Sequence, residues 1–352
     1  MEETKNKMSL KKKRLIVLFS LLGILIILFF ASIFIGSSHM SFVDGLKAIF
    51  GQGEEINQTI IYNIRMPRIL AALIAGTALA ISGTIMQTMS NNVMASPSTL
   101  GVTNAAVLGA NIAIIILGGG VIHAQGGIVT ISNPYFVSGI AFIFALLCTI
   151  LVLALARFKK FNASTTVLIG ITFGMFCTGV TTLIQYFASD TSLSSAIYWS
   201  FGDLGRASYE DDLIMLVITA IAVTFFLIFS YRYNAMLLGD ESAETLGIKI
   251  KWFRFISLLL ASLLTAVTVS LLGIIGFIGL LAPQIIRRLI GNDHKHLLIG
   301  SALLGACVLL AADMFARAVM NGISLPVGAV TSILGAPVFI VVLLKGRRGV
   351  ND

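Results

Sequence analysis

Charge is scarce in this chain, and it stays out of the middle of every long apolar run. Only 11% of the 352 residues are Asp, Glu, Lys or Arg, against 57% hydrophobic, a balance far from that of a soluble domain. The three cysteines, Cys148, Cys177 and Cys307, all lie inside apolar runs and read as small core hydrophobes rather than a disulfide or metal set. No GxxxxGK[ST] phosphate loop occurs, so the chain does not bind ATP by that route. His39 and His123 are isolated. His294-Lys-His296, with one intervening cation, suits a solvated loop better than a metal site. No nucleophile–base constellation is visible, which leaves an enzymatic role without support.

The missing acids matter most. A charge at mid-membrane costs roughly 2.5–3.5 kcal/mol or more, so where one occurs it usually marks ion or proton coupling. The nearest case is Asp313, close to a helix end and four residues from Arg317, with which it can pair on one helix face. An ion-driven carrier would be expected to bury at least one acid, although backbone carbonyls can also bind sodium. Energy supplied by a partner is therefore the better reading. A membrane sensor or scaffold is the non-transport alternative.

Apolar runs, by contrast, are abundant, and about 20 such residues span a bilayer. The first, Leu15–Ile35, follows Lys5, Lys7 and Lys11-Lys-Lys-Arg14 and exceeds a signal-peptide core, so it reads as a first span with its basic flank in the cytoplasm. Further spans are expected near Ile69–Met89, Ser98–Leu117, Tyr135–Ala156, Thr165–Phe187, Leu213–Ser230, Phe253–Leu272, Gly276–Ile286, Leu297–Met314 and Val327–Leu344. The run from Gly276 is short and should extend through Arg287 or borrow upstream residues. Threading from an inside N-terminus leaves only Lys47, Arg65, Arg68, Arg206 and Arg317 of the 24 basic residues outside. That asymmetry supports the topology, and it assigns the net charge of +8 to membrane orientation rather than to nucleic acid. The fold expected is all-α: a polytopic membrane protein of about ten transmembrane helices in a packed bundle, both termini cytoplasmic. Residues 1–14 form a basic N-terminus, 15–345 a single permease domain and 346–352 a short C-terminus. Gly170-Ile-Thr-Phe-Gly174 would let helix backbones approach closely. Outside, Ser192–Leu204 should form a short helix presenting Tyr198 and Trp199 at the interface.

Between the apolar runs Leu213–Tyr231 and Trp252–Leu272 lies a polar island, residues 238–251. Ser242–Leu246 could make one short helix, with Gly239 and Gly247 as its stops and Asp240 and Glu241 near its positive end. It faces the cytoplasm if the topology holds. An ordinary solvated loop is the plain alternative; with no buried acid to couple an ion, a docking surface for a motor is the sharper one.

At this point a family resemblance enters. Arg65-Met-Pro-Arg68 followed by Ala75-Gly-Thr-Ala-Leu-Ala-Ile-Ser-Gly-Thr-Ile-Met-Gln87 resembles the second helix of FecCD-type permeases, membrane subunits of ABC importers for iron–siderophore complexes, haem and vitamin B12. Ala95-Ser-Pro-Ser-Thr-Leu-Gly-Val102 is similar to the segment that follows, Gly239–Gly247 to the coupling loop, and Gly273–Gly291, Ala312–Arg317, Leu325-Pro-Val-Gly328 and Leu334-Gly-Ala-Pro-Val-Phe339 to the last helices. The resemblance runs in order over residues 60–345. It departs at Asn92-Val-Met-Ala95, where the family often has Asn-Pro-Leu-Ala, and at Pro283-Gln284, where it often has Pro-His. The first change should alter the start of the third helix, and the second removes an imidazole.

The resemblance implies a second permease copy or close relative, two cytoplasmic ATPases and an extracytoplasmic binding protein, in the cell membrane of a prokaryote. It implies no cofactor in this chain; ATP and magnesium belong to the ATPases. Ferric siderophore is the substrate expected first, with haem and corrinoid open. Gly239, Asp240, Glu241, Ser242, Ala243, Glu244, Thr245, Leu246 and Gly247 would form the ATPase-coupling element. Arg65, Arg68 and Arg317 would pair with carboxylates of the binding protein, a task suited to a planar guanidinium. Snorkelling anchors are the alternative for the first two. Ser164 and Thr165 match the inner gate; as a plain reading they cap a helix.

Overall fold

The computed structural model describes residues 2–35, 42–119, 133–158, 163–319 and 325–346. Lys159 and Lys160, part of the expected inner charge, and residues 347–352 of the C-terminal segment lie outside this set. Among the described residues there is no strand. The helices are α1 (Glu2–Phe34), α2 (Phe42–Ile49), α3 (Glu55–Thr59), α4 (Met66–Met89), α5 (Val102–Asn111), α6 (Pro134–Phe158), α7 (Ala163–Tyr186), α8 (Asp190–Ser200), α9 (Tyr209–Ile228), α10 (Ser230–Met236), α11 (Asp240–Thr245), α12 (Ile250–Leu272), α13 (Ile278–Ile290), α14 (His294–Ala318) and α15 (Val327–Gly346). A helix stands at each of the ten expected spans. Among the described residues, seven helices are long and apolar enough to cross a bilayer; the segments Val102–Ile116 and Val327–Val342 are shorter apolar helices. α13 does extend through Arg287, yet its 13 residues cover only about 20 Å, short of a ~30 Å hydrocarbon core.

One boundary differs for a physical reason. Pro67 in the sequence suggests a helix start, but the helical run containing α4 reaches back to Glu55. Residues Ile60–Arg65 widen into a π-turn, and the Met66 N–H donates to Ile61 O, five residues back. Proline lacks an N–H and its ring crowds the preceding turn; the wider π pitch makes room for it without ending the helix.

The chain divides into two compact units. The first comprises Met1–Thr84, Asp203–Asn234 and Gly276–Asp352. Within it α14 packs on α1, α13 and α15, and α4 meets its neighbours backbone to backbone. A Cβ added at Gly76 would lie 2.5 Å from Gly305 O, and one at Gly83 would lie 1.9 Å from Gly279 O. Only glycine permits these approaches.

The second unit comprises Ile85–Gly202 and Ala235–Ile275. Here α5 packs against α6, α7 and α12. It begins at Val102, after a 3-10 turn over Pro97–Leu100 and a left-handed Gly101 with φ 76°. Gly170 of the GxxxG pair does lie at a close approach, its missing Cβ 2.4 Å from Thr99 O. Polar groups add to the packing: Asn104 Nδ2 donates to Gly174 O at 3.2 Å and Thr178 Oγ1 at 2.9 Å, and Gln185 Nε2 donates to Asn111 Oδ1 at 3.0 Å. The expected outer helix is α8, N-capped by Ser189. Its aromatic pair divides: Tyr198 is exposed while Trp199 is 2% exposed, because adjacent helical positions point about 100° apart.

Candidate functional site

The polar island folds as α11, six residues long. A helix this short has little intrinsic stability, and its ends supply what its length does not. Gly239 enters with φ 101° and ψ 161°, a backbone region that only glycine occupies comfortably. At the other end Gly247 has φ 79°. Its N–H donates to Glu244 O at 2.9 Å while the Ile248 N–H donates to Ala243 O at 3.2 Å. That is a Schellman pair, and Ala243 and Ile248, the positions at which such a cap usually places its apolar contact, are both buried. The helix is tethered forward as well. Arg254, one turn into α12, donates to both Asp240 oxygens, at 2.8 and 3.2 Å. Glu241, Ser242, Glu244, Thr245 and Leu246 stay exposed. The arrangement is a rigid, acidic knob fixed to the start of a long helix. The loop boundaries are legible in the sequence; Arg254 carries no signal there beyond its charge.

Arg65, Arg68 and Arg317 converge in the first unit and are buried, at 4%, 8% and 9% exposure. Asp313, with no exposed surface, stands between two of them. Its Oδ1 accepts from Arg68 Nε at 2.6 Å and its Oδ2 from Arg317 Nε at 2.9 Å. Asp203 lies 3.6 Å from Arg68. Arg317 also donates to Ser32 Oγ at 2.6 Å and to Ile35 O at 2.5 Å, and Arg65 donates to Ile33 O. These bonds join the end of α1, the start of α4 and the end of α14. The i,i+4 contact expected between Asp313 and Arg317 is present, with a second arginine on the same carboxylate. As placed, the three side chains brace helix ends and offer little surface to a partner. Buried charges need such partners because desolvation would otherwise cost several kcal/mol each.

At the other end of the same unit, Asp293 gathers a cluster that sequence reasoning missed. It accepts from Arg14 Nη1 at 3.0 Å and Asn234 Nδ2 at 3.1 Å, and lies 2.7 Å from His296 Nδ1. Burial alone would raise its pKa, but the bonds from Asn234 and His296 outweigh that and hold the carboxyl below its ordinary 3.8. His294 Nδ1 faces Asn234 Oδ1 at 2.8 Å instead, so the two histidines serve different partners.

Ser164 and Thr165 fall in the first turn of α7, which begins at Ala163, rather than at its cap. Thr165 is partly buried; the Ser164 side chain lies outside the described set.

Comparison with known proteins adds the remaining evidence. The model of the FecCD transport family matches residues 24–345. A protein of Methanocaldococcus jannaschii assigned as an ABC transporter permease, MJ0087, is 42% identical over 344 residues, 97% of each chain. The vitamin B12 import system permease BtuC of Escherichia coli is 37% identical over 292 residues, 83% of this chain and 85% of its own. Among solved structures, an inward-facing transporter assigned to the metal-chelate ABC type superposes with a TM-score of 0.81 at 28% identity, over 94% of this chain and 99% of that one. With the helices at all ten expected spans inside or overlapping the matched range, the chain belongs to the FecCD transport family.

Proposed function

We propose that this protein is the translocation path of an ABC importer for a metal chelate, driven by separate ATPases that grip α11. The observation carrying the reading is the geometry of α11: glycine-bounded at both ends, Schellman-capped, bound through Asp240 to Arg254, and presenting Glu241, Glu244 and Leu246 outward. Such a knob passes displacement on to α12 instead of absorbing it. Two copies of the chain, or this chain with a close relative, would enclose the path, with Ser164 and Thr165 at its inner gate. An extracytoplasmic binding protein would deliver the chelate where Arg65, Arg68 and Arg317 gather. Because those arginines are buried, its carboxylates would compete with Asp313 and the α1 carbonyls. The likeness to a vitamin B12 permease and to a metal-chelate transporter supports the substrate class. Cobalamin, haem and ferric siderophore are the chelates to compare.

The test reconstitutes the chain with its ATPase and binding protein in liposomes. Gly239→Pro, and separately E241K with E244K, should cut ATP-driven uptake and chelate-stimulated ATPase while membrane insertion is unchanged. Uptake equal to the parent would end the coupling assignment. R68K, measured for binding-protein affinity and melting temperature together, separates docking from bracing.

A second reading, an ion-driven carrier, has one observation in its favour. Asp212, in the first turn of α9, is 4% exposed, and among the described residues neither of its carboxylate oxygens has a hydrogen-bond partner. Uptake by the chain without ATPase under an imposed sodium or proton gradient, abolished in D212N, would favour it over the importer.

A further inference from the structure

In the second unit, the end of α6 and the first turn of α12 form an open pocket of about 150 Å³ lined by Arg157, Lys251, Trp252 and Phe255. The two charged groups in this wall are both cations, and among the described residues no carboxylate lines it. The Arg157 guanidinium stands 5.8 Å from the Trp252 ring centroid, and Trp252 meets Phe255 edge-on at 6.2 Å. Two apolar spans, Pro134–Arg157 and Ile250–Leu272, terminate here. The pocket therefore lies where hydrocarbon gives way to headgroups, on the side assigned by its basic residues to the cytoplasm. Trp252 is 59% exposed although large and aromatic, the placement of an interfacial side chain.

We propose that this pocket holds an anionic phospholipid of the inner leaflet. Its phosphate would accept from Arg157 and Lys251, and an acyl chain would lie along Trp252 and Phe255. A soluble anion could use the two cations but would leave the aromatic wall unused, whereas a phospholipid matches both. Lys251 precedes by three residues the Arg254 that holds Asp240 of α11. A bound lipid would thus steady the joint between α11 and α12, a consequence that rests on the coupling role proposed for α11. Each basic group near an anionic headgroup favours it by about fivefold at low salt, so the pair supplies roughly twenty- to thirtyfold.

The chain has only two tryptophans, and Trp199 is buried, so quenching by bromine on an acyl chain reads Trp252. The full-length protein, carrying W199F, is placed in micelles or nanodiscs containing dibrominated phosphatidylglycerol or dibrominated phosphatidylcholine. Phosphatidylglycerol should quench at a mole fraction at least tenfold lower. R157Q with K251Q should remove that preference and leave quenching by phosphatidylcholine unchanged, which also shows the variant is folded. Equal quenching by both lipids in the parent would overturn the proposal, as would a preference that survives the double substitution. Displacement of the lipid by millimolar glycerol phosphate would identify a soluble-anion site and overturn it too. Uptake by the complete transporter with and without phosphatidylglycerol is a separate arm: no lipid dependence there, with selective quenching intact, refutes the effect on coupling and leaves the site standing.

Discussion

Asp313→Asn isolates what holds the buried arginines. The amide keeps the volume of the carboxylate but removes its charge, so Arg68 and Arg317, at 2.6 and 2.9 Å from its oxygens, are left facing a neutral group. Removing one partner from a buried ion pair costs about 3–5 kcal/mol. Two features favour the lower end. Arg68 retains Asp203 at 3.6 Å, and Arg317 retains Ser32 and Ile35. Taking about 3 kcal/mol, and about 1–2 °C per kcal/mol for a chain of 352 residues, the detergent-solubilised protein should melt roughly 3–6 °C lower. A second variant makes the reasoning sharper. D313N with R317M also removes one orphaned cation and substitutes apolar volume, a replacement that is often neutral in buried clusters. The double variant should therefore melt above D313N alone. A D313N midpoint within about 2 °C of the parent, or a double variant lower than the single, would refute the bracing argument.

Other consequences are more local. G83A would press a Cβ to 1.9 Å from the Gly279 carbonyl, and since backbone cannot yield as a side chain does, we expect a loss of at least about 1–3 kcal/mol; G179A, whose Cβ meets nothing within 4 Å, is the matched control and should melt no lower than the parent. R254Q removes both bonds to Asp240; that carboxylate is more than half exposed and stays solvated when unpaired, whereas the guanidinium is buried, so the fold should lose about 1–3 kcal/mol; ATP-driven uptake should fall severalfold with ATPase binding retained, and unchanged uptake would sever α11 from α12 in function. Asp293 is held below its ordinary 3.8, so its stabilisation is present above that value and is lost as pH falls through the lowered one. The melting-temperature gap between parent and D293N should be constant near neutrality and close in acid; a gap unaltered down to pH ~3 would contradict the assignment.

The helices at the ten expected spans were legible because hydropathy is a local property, read along one stretch at a time. α11 was nearly so: its two glycine stops mark it, and the helix begins at Asp240 rather than Ser242 only because Gly239 completes the turn by itself. Pro67 misled for the opposite reason. A proline rule describes an α-helix, while the chain answers with a π-turn at Ile60–Arg65 that no composition signal announces. The arginines show the deeper limit. Counting cations on each side of the membrane tells which end of a helix Arg65, Arg68 and Arg317 occupy, but not which face. That depends on Ser32 and Asp313, more than 200 residues away from Arg317 and Arg68 respectively. Arg14 and Asp293 stand 279 residues apart and meet in the same manner. In water a polar side chain can satisfy itself wherever it faces; in a chain this apolar it must find a partner inside the protein, so each charge near a span is evidence of a distant residue still to be named. Asp212 is the one buried carboxylate with neither oxygen partnered among the described residues, where its neighbour Asp211 lacks a partner at one, and by that logic it is where the chain has the most left to explain.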